Sequence, residues 1–183
     1  MKFTLGVIAA CMTFQMNAMQ SEVRVCDSDS GDEPAILQII RDDREILIRH
    51  PGFNEVAMIT KKSMSPDTDE KNGSLAFKVI KNKDEVLGFT AYHATATNAV
   101  QIALVAIDKN HRGKKNAQRL LASTINGIRT EIKQPVDIWA YVAKDNVAAQ
   151  RVWKKVAGTI PDATLHWVEG TGKTSDAFIV HLK

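Results

Sequence analysis

Hydrophobic positions change their period several times along the chain, and those changes divide it into elements. Glu22-Val23-Arg24-Val25 alternates with period two, as a short strand does. Ser28 to Gly31 then supplies capping chemistry ahead of Pro34 and the three-four spacing of Ile36, Ile39, Ile40 and Ile46, which predicts a helix. Residues 50–74 are polar and hold Pro51-Gly52, Ser65-Pro66-Asp67 and Asn72-Gly73, so a loop is expected, with room for a short helix between Glu55 and Lys61. Three strand patterns follow, Leu75 to Ile80, Val86 to His93 and Ala99 to Ile107. Their separators, Asn82-Lys83-Asp84 and Thr95-Ala96-Thr97-Asn98, suit hairpins and predict an antiparallel meander.

After Ile107 the period lengthens to that of a helix, with Leu120, Leu121, Thr124, Ile125, Ile128 and Ile132 on one face and Pro135 as the stop. Val136 to Val142 reads as a strand. Asn146 opens a second helix whose inner face carries Ala149, Val152, Trp153 and Val156, and strands return at Leu165 to Val168 and Ala177 to Leu182. A meander followed by strand, helix, strand, helix, strand describes an α+β domain built on a mixed sheet. The chain has no internal repeat and no linker long enough to divide residues 19–183.

The first 18 residues stand apart. Lys2 precedes an unbroken stretch from Phe3 to Phe14, and Ala18 closes the segment, which is the layout of a secretory signal peptide. An N-terminal strand or helix is the alternative, although nothing polar alternates within the run to give it an outer face. Ile8-Ala9-Ala10-Cys11 also has the form of a lipoprotein box, which offers a second cleavage point with Cys11 lipidated. Cleavage after Ala18 leaves Cys26 as the one cysteine, which argues against an intrachain disulfide. The expected location is then extracytoplasmic, secreted or periplasmic, and cytoplasmic if the segment is not a signal.

Composition narrows the class without identifying it. With 183 residues, 44% of them hydrophobic and 25% charged, the chain suits one folded domain and no disordered tail. No apolar run approaches the roughly 20 residues of a membrane span. The net charge of +3 is too small to indicate nucleic acid. Its distribution is more telling, because Lys109, Arg112, Lys114 and Lys115 fall within seven positions where the third meander strand turns into the long helix. A helix N-terminus presents unpaired N–H groups and the positive end of the dipole, and cations are unfavourable there unless an anion joins them. A phosphate site and an ordinary basic turn capped by Asn110 or Asn116 both fit this charge pattern.

The sequence of that turn, Arg112-Gly113-Lys114-Lys115-Asn116-Ala117, resembles the pyrophosphate loop of the GNAT superfamily of acetyl-CoA-dependent N-acyltransferases. That loop runs Arg or Gln, two residues, Gly, one residue, Gly or Ala. Arg112 and Ala117 take the end positions, and Lys115 stands where the middle glycine lets the family's backbone adopt an unusual φ. Further on, Asn146-Val147-Ala148-Ala149-Gln150-Arg151-Val152-Trp153-Lys154-Lys155 resembles the family's later helix, with Asn146 and Ala149 in register and Trp153 in its aromatic slot. Ala157-Gly158 replaces the usual Gly-Phe. The resemblance covers nearly all of residues 19–183.

What the resemblance implies is a mostly antiparallel twisted sheet flanked by helices on both faces, and transfer of an acetyl group from acetyl-CoA to a primary amine by direct attack within a ternary complex, without a metal. It implies that Val105, Ala106 and Ile107 pair with the pantetheine arm and that Arg112, Gly113, Lys114, Lys115, Asn116, Ala117 and Gln118 hold the pyrophosphate. Asn146 and Trp153 complete the cofactor site. A backbone N–H at the strand end, at Ile107 or beside it, would polarise the thioester carbonyl. The family's tyrosine in the slot of Trp153 protonates the departing thiolate, a role an indole N–H cannot fill. Trp153 is therefore expected to line the thioester pocket, to belong to the core, or both. His93 and Tyr141 are the candidates for proton transfer, His93 through its titration range. A non-catalytic acyl-CoA-binding protein, or an exported interaction protein with this fold, is the alternative, and nothing in residues 50–74 spells out an acceptor.

Two patterns carry no site. Gly170-Thr171-Gly172-Lys173-Thr174-Ser175 imitates the end of a P-loop, but Trp167 occupies the position of its first glycine, so a hairpin turn is expected. Asp27, Asp29, Asp32 and Glu33 lack EF-hand spacing and read as favourable charge at a helix start.

Overall fold

The computed structural model describes residues 23–43, 75–169 and 175–183. The proposed signal at residues 1–18, Ile46, the 50–74 segment and Gly170 to Thr174 lie outside the described residues. The elements are β1 (Val23–Asp27), α1 (Glu33–Asp42), β2 (Ala76–Asn82), β3 (Glu85–Ala96), β4 (Ala99–Ile107), α2 (Asn116–Ile132), β5 (Val136–Ala143), α3 (Val147–Ala157), β6 (Ala163–Val168) and β7 (Ser175–Leu182). The strands form one sheet in the order β1-β2-β3-β4-β5-β7-β6. All neighbours are antiparallel except β4 and β5, whose parallel pairing needs a crossover, and α2 supplies it.

The two periods of the sequence account for the layers. Leu120, Leu121, Ile125 and Ile128 form the buried stripe of α2, and Trp153, Val156 and Ala157 that of α3. Both helices close on one face of the sheet, over Val136, Ile138, Ala140 and Val142 of β5 and Phe178 and Val180 of β7. α1 covers the other face, where Ile36, Ile39 and Ile40 meet Phe77, Val79, Phe89 and Leu104. The expected mostly antiparallel sheet with helices on both faces is what is observed. No described helix is long and apolar enough to cross a membrane.

β4 changes face midway. Ala91 stands opposite Leu104 but Tyr92 opposite Ile102, so Ala103 is an extra residue. The bulge reverses the alternation: Val100 and Ile102 join the α2–α3 side, while Leu104 and Ala106 join the α1 side. This explains why Ile102 to Ile107 is apolar without interruption. β3 runs further than its pattern suggested, to Ala96, because the β-branched Thr95 stays in the strand and donates its hydroxyl to the Ala99 carbonyl at 3.2 Å. The turn shrinks to Thr97-Asn98.

The acidic cluster before α1 serves structure. Asp29 accepts from the Gly31 N–H at 2.9 Å, Lys78 reaches Asp27 at 2.6 Å, and Lys81 reaches the buried Asp32 at 2.6 Å. These contacts tie β1 and the start of α1 to β2.

Gly88 lets β3 lie close against the end of β4. A Cβ there would stand 2.6 Å from the Ala106 carbonyl oxygen and 2.5 Å from Ile107 Cδ1. Gly88→Ala is therefore expected to lower stability by about 2 kcal/mol, the scale of an overpacked core. Urea unfolding checks this, and an unchanged midpoint would mean that the end of β4 yields freely.

Candidate functional site

β4 and β5 share register only at Ala99–Asp137, Val100–Ile138 and Gln101–Trp139. Beyond Gln101, β4 continues paired with β3 and β5 with β7, and the two middle strands separate. The backbone groups of Ile102 to Ile107 that point toward β5 therefore have no strand partner among the described residues, and such groups seek another partner. The sheet opens into a cavity of about 490 Å³. Val105, Ala106 and Ile107 form its edge.

The turn after β4 is built to bring a helix start to that edge. Asp108 accepts from the Asn110 N–H at 2.8 Å and closes a 3₁₀ turn over Lys109–His111. Asn116, buried, donates from Nδ2 to the His111 carbonyl at 3.0 Å and draws the loop tight. Two residues between them take left-handed backbone, Gly113 at φ +75° and Lys115 at φ +62°. Lys115 occupies the N-cap of α2 without a capping side chain. The N–H groups of Asn116, Ala117 and Gln118 thus lack intrahelical acceptors, and all three residues line the cavity.

α3 forms the opposite wall. Asn146 caps it, accepting from the Ala149 N–H at 3.0 Å, and Ala148, Ala149 and Val152 present small or slender side chains to the cavity. Trp153 reaches the cavity while only 4% exposed, and its ring lies 6.2 Å from that of Phe178. It is core and cavity wall together.

Of the residues expected to hold the cofactor, Val105, Ala106, Ile107, Arg112, Gly113, Lys115, Asn116, Ala117, Gln118, Asn146 and Trp153 converge on this cavity. Lys114 is not among its lining, and its Nζ donates to the Asn110 carbonyl at 3.3 Å. Arg112 is committed within the protein: Nε donates to the Ile107 carbonyl at 3.0 Å and Nη2 bonds the Asp43 carboxylate. Asp43 lines the cavity too. Sequence reasoning missed it, because the pairing spans 69 positions and no local pattern marks it.

His93 and Tyr141 lie outside the cavity lining, on the other face of the sheet. Their neighbours Tyr92, Ala140 and Val142 belong to the core under α2 and α3, so alternation turns His93 and Tyr141 the opposite way. His93 stands across from Gln101, which pairs on its other side with Trp139, so this row marks the point where the sheet opens. Buried His93 Nδ1 has no hydrogen-bond partner among the described residues, and Tyr141 packs edge-on to Trp139 at 5.3 Å. Tyr92 faces the α2–α3 core. Burial raises its phenol above the ordinary 10.0, against the opposing pull of Lys78.

The model of the acetyltransferase (GNAT) family matches residues 34–158. Comparison with curated proteins finds no match. Among solved structures, an acetyltransferase from Thermus thermophilus superposes with a TM-score of 0.62 at 12% identity, over 87% of this chain and 97% of that one. YncA from Salmonella typhimurium, solved with its cofactor acetyl-CoA, gives 0.59 at 15% identity, over 88% and 93%. A SpeG spermidine N-acetyltransferase mutant from Vibrio cholerae gives 0.59 at 16%, over 88% and 94%. At such identities the likeness is one of fold.

Left-handed backbone costs a side-chain-bearing residue roughly 1 kcal/mol, which glycine avoids. Lys115→Gly is expected to raise stability by about that amount, measured by urea unfolding without cofactor. A loss of stability would show that the Lys115 side chain holds the loop in a way its backbone does not reveal.

Proposed function

The chain belongs to the GNAT acetyltransferase family, and on that premise we propose that it transfers the acetyl group of acetyl-CoA to a primary amine. The observation that carries this is the convergence, on one cavity, of an unpaired strand edge and an uncapped helix N-terminus. The first suits an amide-bearing arm, which pairs with backbone as a strand does. The second suits a pyrophosphate. A neighbour of this fold solved with acetyl-CoA, and another that acts on spermidine, support the same cofactor and an amine acceptor.

In this reading Val105 to Ile107 align the pantetheine arm, and the N–H groups of Asn116 to Gln118 receive the pyrophosphate. The thioester then lies where the sheet opens, with Trp153 excluding water on the α3 side. The amine nitrogen attacks the carbonyl carbon from the opposite face of the sheet, past His93 and Tyr141. The electron pair of the carbonyl moves to oxygen, is stabilised by a backbone N–H of β4, and returns as the carbon–sulfur bond breaks. The amine loses one proton to His93, directly or relayed through water or the Tyr141 hydroxyl, and the thiolate takes one from water, since Trp153 holds no acid of suitable strength. Residues 1–18 direct this domain out of the cytoplasm, for which N-terminal sequencing of the native protein is the test. An intact Met1 in a soluble cytosolic fraction would refute that part.

Trp153 also favours a second reading, acyl-CoA binding with little turnover, because the slot holds no proton source. Release of free CoA thiol in the presence of an amine panel separates the two. Isothermal titration tests the premise they share. Acetyl-CoA is expected to bind saturably, and Arg112→Glu combined with Ala117→Trp to abolish binding by reversing charge at the loop and filling the cavity. No binding by the unaltered protein at millimolar ligand, or undiminished binding by the double variant, would overturn both readings.

A further inference from the structure

α1 ends in two adjacent carboxylates, Asp42 and the C-cap Asp43, the second of which lines the cavity. Negative charge at a helix C-terminus opposes the dipole, so this placement needs compensation. Both acids find it in the turn that precedes α2. Lys109 Nζ lies 3.7 Å from Asp42, and Arg112 Nη2 bonds Asp43. The Asp43 side chain is only 10% exposed, whereas that of Arg112 is 44% exposed. A nearly buried carboxylate therefore forms part of the wall of a cavity whose other features suit an anion.

We propose that Asp43 is a built-in competitor for the phosphate charge of the cofactor: it holds Arg112 while the cavity is empty and must release it when the cofactor enters. The inference rests on the acetyl-CoA reading above. Arg112 donates Nε to the Ile107 carbonyl and Nη2 to Asp43, so two of its five N–H groups are engaged, and its charge is already paired, before any ligand arrives. A phosphate reaching the loop meets a guanidinium already neutralised, with a carboxylate beside it that low solvent exposure leaves poorly screened. Binding thus exchanges one anionic partner of Arg112 for another. By linkage, the cofactor loosens what Asp43 was holding, the last turn of α1, where the Asp43 N–H donates to the Ile39 carbonyl at 3.2 Å.

Titration of CoA into the purified protein and into Asp43→Asn tests this. The variant keeps an acceptor for Arg112 and removes the charge, and it should bind CoA at least about fivefold more tightly. Arg112→Gln should weaken binding more in the Asp43→Asn background than alone. Equal or weaker binding by a folded Asp43→Asn protein would overturn the proposal and make Asp43 a residue that merely orients Arg112. Hydrogen exchange on the unaltered protein gives a second readout that needs no variant. CoA should speed exchange of the Asp43 amide, and slowed or unchanged exchange would overturn the proposal. Unaltered protein that binds no CoA would instead refute the acetyl-CoA reading and this inference with it, whereas binding that Asp43→Asn leaves unchanged refutes this inference alone.

Discussion

Between β4 and β5 the sheet is held by parallel pairing over three residue pairs, Ala99 to Gln101 against Asp137 to Trp139. Their separation beyond that point decides the rest of the site. Two neighbouring features make it tolerable. The Ala103 bulge turns Leu104 and Ala106 toward α1, so the far half of β4 is anchored in a core of its own. β5 is meanwhile bound to β7 along its whole length, from Val136–Leu182 to Ala143–Ser175. Each strand keeps one full ladder, and the unpaired edge of β4 lines the cavity.

The crossover required by parallel strands then places the start of α2 at that cavity. A tight turn, closed by Asp108 and Asn116 and passing through two left-handed residues, aims three N–H groups inward. A lysine at the N-cap and an arginine three positions earlier add charge where the dipole is already positive. Helix and turn would repel an uncompensated array of this kind. The protein moderates it with Asp42 and Asp43 of α1, Glu85 of β3 standing 3.2 Å from His111, and, in the proposed function, a phosphate.

Much of this was legible in the sequence, for reasons that differ by residue. β4 was readable because a buried strand between two helical layers is apolar without interruption, as Ile102 to Ile107 is, with Gln101 the one polar residue between Ala99 and Ile107. α2 and α3 were readable because each has a single buried stripe, and Asn146 because a capping residue acts on the N–H three positions later. The turn between β4 and α2 was legible as a motif, since its geometry is local. The Ala103 bulge was not, because alanine suits either face. Nor was Asp43, whose meaning lies in a partner 69 positions away, nor the placement of His93 and Tyr141 across the sheet from the cavity, which depends on strand order.

In the proposed function the opened β4 edge and the α2 N-terminus receive one molecule of acetyl-CoA. A crystal structure of the protein with CoA bound tests it most directly. Pyrophosphate oxygens are expected within hydrogen-bond distance of the Ala117 and Gln118 N–H groups, and the pantetheine amides paired with the backbone of Val105 to Ile107. CoA lodged elsewhere on the molecule, or an arm that leaves the β4 edge unpaired, would contradict it.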